Sequence, residues 1–422
     1  MSLPTMILAL FMTLVATPTA WAADSVDALV TEAIEANPEL AARRATVEAL
    51  RALAGVAGTW PDPVVGIEYS NVPVTSFALG DHAMAGLQFR AQQTVRPPTW
   101  SRLQREVGDA LAEGEEHSLA EAEVQLGVTV EQTYWRLALS RLLGDITEAH
   151  LARTEELLQA VVARYEVGRA GQHAVLRLGV LRDRLQDDLH DFERADRELS
   201  AALARALSRE EATFATPTEF TALDPPADAS GWVDLALAHR PELARIRADV
   251  HGSEAAADLA RADGLPDVSF WVGYRVRTIT SRTDPGTDLA SAGLSVPIPL
   301  GSGRRARGQR AAYLLSAEAA EARHAATVDR IEADLTFVLA RWQRAHHKAA
   351  TYDSELLPAA RSTLDTTLAD YRVDKADFSS LYDGEIALLD LERARLAAAV
   401  ETYIQRAEAR AVLGTTPPGG VR

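Results

Sequence analysis

Two hydrophobic periods share this chain. Leu178, Leu181, Leu185, Phe192, Ala195, Leu199, Ala202 and Ala206 hold a three–four spacing broken only by Asp188. Ile386, Leu389, Leu396, Val400, Tyr403 and Ala407 repeat that spacing further on. Seams of this kind bury themselves against neighbouring helices as in coiled coils. Segments 101–166 and 303–371 carry no convincing strand signal. As continuous helices each would reach roughly 100 Å, too long for an ordinary globular domain. Pro358 is expected to kink the second.

Four short stretches alternate instead with period two. Val65, Ile67 and Tyr69 interleave with Gly66, Glu68 and Ser70, and Ala85, Leu87, Phe89 and Ala91 with Gly86, Gln88, Arg90 and Gln92. Val268, Phe270, Val272, Tyr274 and Val276 alternate with Ser269, Gly273, Arg275 and Arg277, an order that Trp271 breaks. Ala290, Ala292, Leu294, Val296 and Ile298 alternate with Ser291, Gly293, Ser295 and Pro297. A half-buried sheet on a soluble core would alternate in the same way. Each run is also near the length that spans a bilayer when tilted. Four strands do not close a barrel, and lipid does not tolerate an open edge. A membrane reading therefore requires several chains sharing one barrel, eight strands from two or twelve from three.

The pattern occurs twice. ARYEVGRA (163–170) returns as ADYRVDKA (369–376), NPEL (37–40) as RPEL (240–243), Pro61-Asp62 as Pro266-Asp267, and Gly86-Leu87 as Gly293-Leu294. Four marks in one order at nearly one offset make a duplication. The first repeat is expected over 23–212, with strands near 64–74 and 84–96 and long helices near 99–166 and 172–209. A Pro/Thr/Ala-rich linker follows over 213–231. The second repeat is expected over 232–414, with strands near 267–278 and 288–299, long helices near 303–371 and 377–413, and a flexible tail at 415–422. The echo that opens the comparison falls where two long helices meet, so a tight αα-hairpin accounts for it. That account leaves the basic residue at each turn, Arg169 and Lys375, unexplained.

Charge and composition narrow the partners. With 43 Lys+Arg against 60 Asp+Glu the net charge is −17, which argues against nucleic acid. Residues 1–22 hold no charged side chain and end in Ala20-Trp21-Ala22, which fits a cleavable secretory signal, though without a basic n-region. The chain has no Cys, so disulfides, thiolate metal sites and lipidation after that cleavage point are excluded.

With the duplication, the strand pairs and the Tyr-x-Val-Gly-type turns in view, the chain resembles the TolC-like outer-membrane efflux proteins over about 23–414. GLSVPIPLGSGRRARGQR (293–310), a strand passing through Pro into a basic helix start, is typical of that family. The resemblance implies a mainly α fold with a membrane β-barrel. Long coiled-coil helical hairpins with two strands per repeat would form a homotrimer around one twelve-stranded barrel and a periplasmic helical tunnel. It implies outer-membrane lipid, a periplasmic adaptor (membrane fusion) protein and an inner-membrane pump as partners, and no cofactor. PDPVVGIEYSNVP (61–73) looks more like the heavy-metal efflux members than the drug exporters. In the second turn Asp374 stands where the family usually carries Gly. The resemblance places the adaptor contact on Gly168, Arg169 and Ala170 with Asp374, Lys375 and Ala376. Matching YRVDKADFSSLYD (371–383) to the family motif puts the acidic constriction on Ser380 and Asp383, with Asp377 one turn earlier. Ser380 has lost its carboxylate, and capping of the helix is a sufficient alternative role for Asp377.

Other constellations are decoys. GSGRRA (301–306) fits the dinucleotide pattern G-x-G-x-x-A, but its strand carries Pro297 and Pro299, which a central parallel strand refuses. His346 and His347 are adjacent and do not face one ligand on a helix. His82 and Met84 fall in an expected outer loop. No HExxH, nucleophile elbow or acid/base pair is present, so an enzyme is not expected. A periplasmic coiled-coil adaptor or scaffold is the alternative function, and its sheet would fold within one chain.

Overall fold

The computed structural model describes residues 25–210, 213–227, 229–277, 286–298 and 300–415. The secretory signal expected over 1–22 and most of the expected tail lie outside the described residues. The order is α1 (Val26–Ala36), α2 (Pro38–Val56), β1 (Val64–Ser70), β2 (Gly86–Val95), α3 (Pro98–Glu166), α4 (Gln172–Ala206), α5 (Trp232–His239), α6 (Pro241–Ala262), β3 (Val268–Arg277), β4 (Leu289–Ser295), α7 (Ser302–Thr351), a π-helical turn (Tyr352–Leu356), α8 (Leu357–Arg372) and α9 (Phe378–Leu413). Helix, helix, strand, strand and long hairpin occur twice in that order. Two compact units are present, and each takes segments from both repeats.

One unit comprises Ala33–Gln132, Ala222–Thr351 and Glu401–Arg422, and holds all four strands. They form one antiparallel sheet in the order β1-β2-β3-β4, with the β2–β3 pair joining the hairpins of the two repeats. Register carries rows across the sheet. Ile67, Phe89, Tyr274 and Ala290 are aligned neighbours, as are Val65, Ala91, Val272 and Ala292. The alternate positions align Glu68, Gln88 and Arg275, and the Arg275 guanidinium donates to Gln88 Oε1 at 2.6 Å. One face is thus apolar and the other wet. Trp271, the residue that breaks the alternation, lies under Arg90, whose guanidinium carbon is 4.2 Å from the ring centroid. The position beside it is Gly293, where any Cβ would come within 2.6 Å of the Trp271 ring.

β1 and β4 are shorter than the strands expected near 64–74 and 288–299. β1 stops at Ser70 because Asn71 takes a left-handed conformation with φ 57°. β4 stops at Ser295, two residues before Pro297, which has no N–H for a ladder. The helical core of this unit gathers Trp232, Leu243, Ile331, Leu335, Trp342 and Leu413. Arg240 donates to the carbonyls of Ala411 and Val412 at 3.0 Å each, which satisfies the last turn of α9.

The other unit comprises Met1–Glu32, Thr133–Thr221 and Tyr352–Val400. Its core brings Val161, Ala174, Leu178, Leu364, Tyr371 and Leu381 together, with Leu181, Leu185 and Leu389 in a second cluster. The disturbance expected at Pro358 takes the form of the π turn just before it. One extra residue per turn there relieves the clash between the proline ring and the preceding carbonyl.

Candidate functional site

Both hairpin turns in this unit end their helices in the same way. Gly168 has φ 75°; its N–H donates to Tyr165 O at 2.9 Å, and Arg169 N–H to Arg164 O at 2.7 Å. Asp374 has φ 61°; its N–H donates to Tyr371 O at 3.3 Å, and Lys375 N–H to Asp370 O at 2.8 Å. These are paired Schellman caps, matched residue for residue across the duplication. Asp tolerates the left-handed well better than most residues, so replacing the usual Gly leaves the turn intact. Asp374 also gains a partner. It forms an ion pair with Arg164, whose guanidinium donates to Tyr371 O at 3.0 Å and lies 4.6 Å from the Tyr371 ring centroid.

The six residues expected at the adaptor contact divide into two kinds. Gly168, Arg169, Asp374 and Lys375 are exposed, whereas Ala170 and Ala376 are half-buried against the apolar cluster of Val161, Ala174 and Leu381. The alanines set how closely the turns pack on that core. The outward chemistry belongs to Arg169 and Lys375.

Asp377, Ser380 and Asp383 share an exposed stripe at the start of α9, while Phe378, Leu381 and Glu385 face the core. Asp377 is the cap: its carboxylate accepts the Ser380 N–H at 2.7 Å, and that bond holds its carboxyl below the usual range. Asp383 lies 3.4 Å from Arg177 of α4. The same guanidinium donates to Ser379 Oγ at 2.9 Å and sits 4.0 Å from the Tyr382 ring centroid. Asp383 is therefore the stripe's carboxylate that does not cap the helix, and the Arg177 guanidinium holds it.

A polar cluster that the repeat pattern did not suggest lies deeper in the same unit. His150 of α3 is buried, with Nδ1 2.6 Å from Glu385 Oε1 and Nε2 3.0 Å from Glu392 Oε2. Arg153 stands 3.7 Å from that Glu385 oxygen, and Arg361 of α8 donates to Glu392 Oε1 at 2.8 Å. The legible signal was Glu385 and Glu392 in register with Leu381 and Leu388, two carboxylates in an apolar stripe. Among the described residues no group of His, Cys, Asp and Glu suits a metal ion. No described helix is long and apolar enough to cross a membrane, which does not bear on a barrel.

With its amphipathic sheet and duplicated long hairpins, the chain has the fold of solved outer-membrane channels. Residues 232–415 match the model of the outer membrane efflux protein family. Solved structures add the fold of most of the chain. The outer-membrane channel OprN is 20% identical with a TM-score of 0.75, covering 92% of this chain and 89% of its own. VceC, an outer membrane protein of Vibrio cholerae, is 17% identical with a TM-score of 0.77, covering 92% and 96%. CusC, described in relation to transmembrane channel formation, is 15% identical with a TM-score of 0.74, covering 92% of each chain. No curated protein sequence matches. The family match lies over the second repeat, and the TolC-like resemblance is borne out. That family and these neighbours are channel proteins and not enzymes.

Proposed function

We propose that the protein is the exit duct of a tripartite efflux system: a trimer in the outer membrane that takes substrates from a periplasmic adaptor and an inner-membrane pump. The observation that carries the reading is the sheet. Its apolar face is bare, with Val65 74%, Ile67 68% and Leu294 61% exposed, and β1 and β4 are edge strands. Such a face needs lipid, and such edges need neighbouring chains. Three copies supply the twelve strands of one shared barrel. The adaptor alternative has no use for an unclosed apolar sheet. Fractionation followed by SDS-PAGE without boiling tests the class: a heat-modifiable trimer in the outer-membrane fraction is expected, and a soluble monomer overturns the reading.

The two caps are the adaptor contact in this proposal. The residue after a left-handed cap often packs an apolar side chain back on its helix. Here both repeats place a cation there, exposed and not required by the turn. Arg169→Glu combined with Lys375→Glu should abolish export while leaving trimers intact; full export would refute the contact. The alanines are poorer probes, because bulk there disturbs the core.

The constriction lies on the Asp377–Ser380–Asp383 stripe, with Asp383 as its working carboxylate. Three-fold symmetry gathers three copies, whose repulsion opposes closure unless cations compensate. Arg177 is one such cation. Asp383→Ala should raise resting conductance or remove block by divalent cations, and an unchanged trace with normal block would move the constriction elsewhere. With a net charge of −17, solvated faces inside the duct carry acidic excess and favour cations, whether metal ions or small toxic compounds. Anion selectivity of reconstituted trimers at low salt would refute that.

A further inference from the structure

Both ring nitrogens of His150 meet carboxylate oxygens, at 2.6 and 3.0 Å, and the side chain is 1% exposed. A neutral imidazole has one N–H, so one of those contacts would set a lone pair against an oxygen. Two donated bonds require the imidazolium. Moving the proton onto Glu385 is disfavoured by Arg153, 3.7 Å from that same oxygen. Arg361 likewise holds Glu392 ionised from α8. The charged groups around the ring are thus Arg153 on its own helix, Glu385 and Glu392 on α9, and Arg361 on α8. Arg393 of α9 lies close by and is occupied by Asp188 of α4 at 2.8 Å and Thr147 of α3 at 2.7 Å.

The cluster sits where an apolar pair would ordinarily serve. Leu381, Glu385 and Leu388 are buried along one side of α9, Thr147, His150 and Thr154 are buried on α3, and His150 meets Glu385 between the two helices. Replacing such ion pairs by apolar residues is often neutral or stabilising, so stability alone does not call for a charge here. What a titrating ring adds is a contact that depends on pH. Glu385 is two residues past Asp383, so whatever holds it also fixes the start of α9.

We propose that His150 is a positioning residue: its doubly donating imidazolium clamps α9 and α8 onto α3 and holds the Asp383 segment in place, so that closure of the duct depends on the ring remaining charged. This rests on the constriction reading above. Burial alone would discharge the ring, but hydrogen bonds to Glu385 and Glu392 outweigh it and raise its pKa above the ordinary value. His150 holds the Glu392 carboxyl down to about 2, against the effect of burial and with help from Arg361. The raised histidine contributes fully below its unfolded value near 6.5, and its contribution is lost as pH rises through the folded value. Glu392 contributes above about 4.3 and fails only as pH falls towards 2. The clamp is complete between those limits and is released by alkali.

The test uses the purified full-length protein in detergent and in planar bilayers, as wild type, His150→Gln, His150→Lys and Glu392→Gln. Above pH 6.5 the wild-type folding constant should fall about tenfold per pH unit until the folded histidine value is passed. Glu392→Gln should move the end of that fall to lower pH, and His150→Lys should abolish it while keeping a cation. Wild-type resting conductance should be low near pH 6 and rise over the same alkaline range, whereas His150→Gln should leak at every pH. Should His150→Gln fail to fold, the displaced fall in Glu392→Gln carries the test. Parallel unfolding profiles in wild type and both His150 variants, or in wild type and Glu392→Gln, would overturn the clamp irrespective of any channel. A histidine-dependent unfolding profile with pH-independent conductance would overturn the positioning role alone. Absence of conductance from every protein would refute it together with the channel reading.

Discussion

Asp374→Gly restores the residue usual at this turn and sets two effects against each other. Asp374 holds φ 61°, and a left-handed conformation costs a residue with a Cβ about 1–2 kcal/mol, less for Asp. Glycine removes that cost but loosens the unfolded chain, which returns about 0.4–1 kcal/mol. It also removes the ion pair with Arg164, whose two side chains are 21% and 58% exposed. At that exposure the pair contributes roughly 0.2–1 kcal/mol. The sum is near zero, so Asp374→Gly should shift stability by less than about 1 kcal/mol. Asp374→Ala loses the pair and puts a residue that tolerates the left-handed conformation less well than Asp in its place, so it should cost about 0.5–2 kcal/mol. Gly168→Ala isolates the backbone effect, because a Cβ there meets no atom within 4 Å, and it should cost about 1–2 kcal/mol. Chemical unfolding of the four proteins in one detergent measures all three differences. Alanine and glycine equally stable at 374 would refute the left-handed turn as the controlling feature. A loss above about 2 kcal/mol for Asp374→Gly would mean that the Arg164 pair outweighs the backbone.

Two further outcomes follow from burial and titration. Leu381→Ala empties a fully buried position between α9 and its neighbours and should cost about 2–5 kcal/mol in unfolding free energy, while the exposed Ser380→Ala should change it by less than about 0.5. Burial pushes the Glu242 carboxyl up, but Arg330 and Arg240 outweigh it and leave its pKa lowered. Its contribution is therefore present above about pH 4.3 and lost as pH falls through the folded value, so acid unfolding should be less steep in Glu242→Gln.

The sequence carried the parts of the fold that repeat a period. Alternation at Ile67, Phe89, Tyr274 and Ala290 marked four strands whose register aligns those residues in one row. The expected strands overran at Asn71 and Pro297 because side-chain alternation does not report φ or a missing N–H. The three–four seam of α4 was followed correctly through Leu178, Leu181 and Leu185. Further on, Phe192, Ala195 and Leu199 are only half-buried, and burial passes to Ser200, Leu203 and Ala204. A straight helix of 3.6 residues per turn drifts from a 3.5-residue repeat, so a long seam migrates round its helix. The capping role weighed for Asp377 was legible because a cap is written in four consecutive residues.

What lay beyond reach was pairing across sequence distance. His150 and Glu392 are 242 positions apart, as are no two residues a helical period could connect. Even so, the duplication limits where such pairs can form. Each repeat brings its own hairpin turn with the same cap, and the side chains at equivalent positions then diverge. Gly168 kept conformational freedom, while its counterpart Asp374 accepts strain and gains Arg164 as a partner. One repeat thereby supplies the cation and the other the anion of a contact that neither could make alone. Arg164 stands opposite Asp370 and Asp374 opposite Gly168, so this division of labour depends on two positions at which the two turns have become different. The places where the repeats disagree, Gly168 against Asp374 foremost, are therefore where the asymmetry of the assembled chain is to be sought.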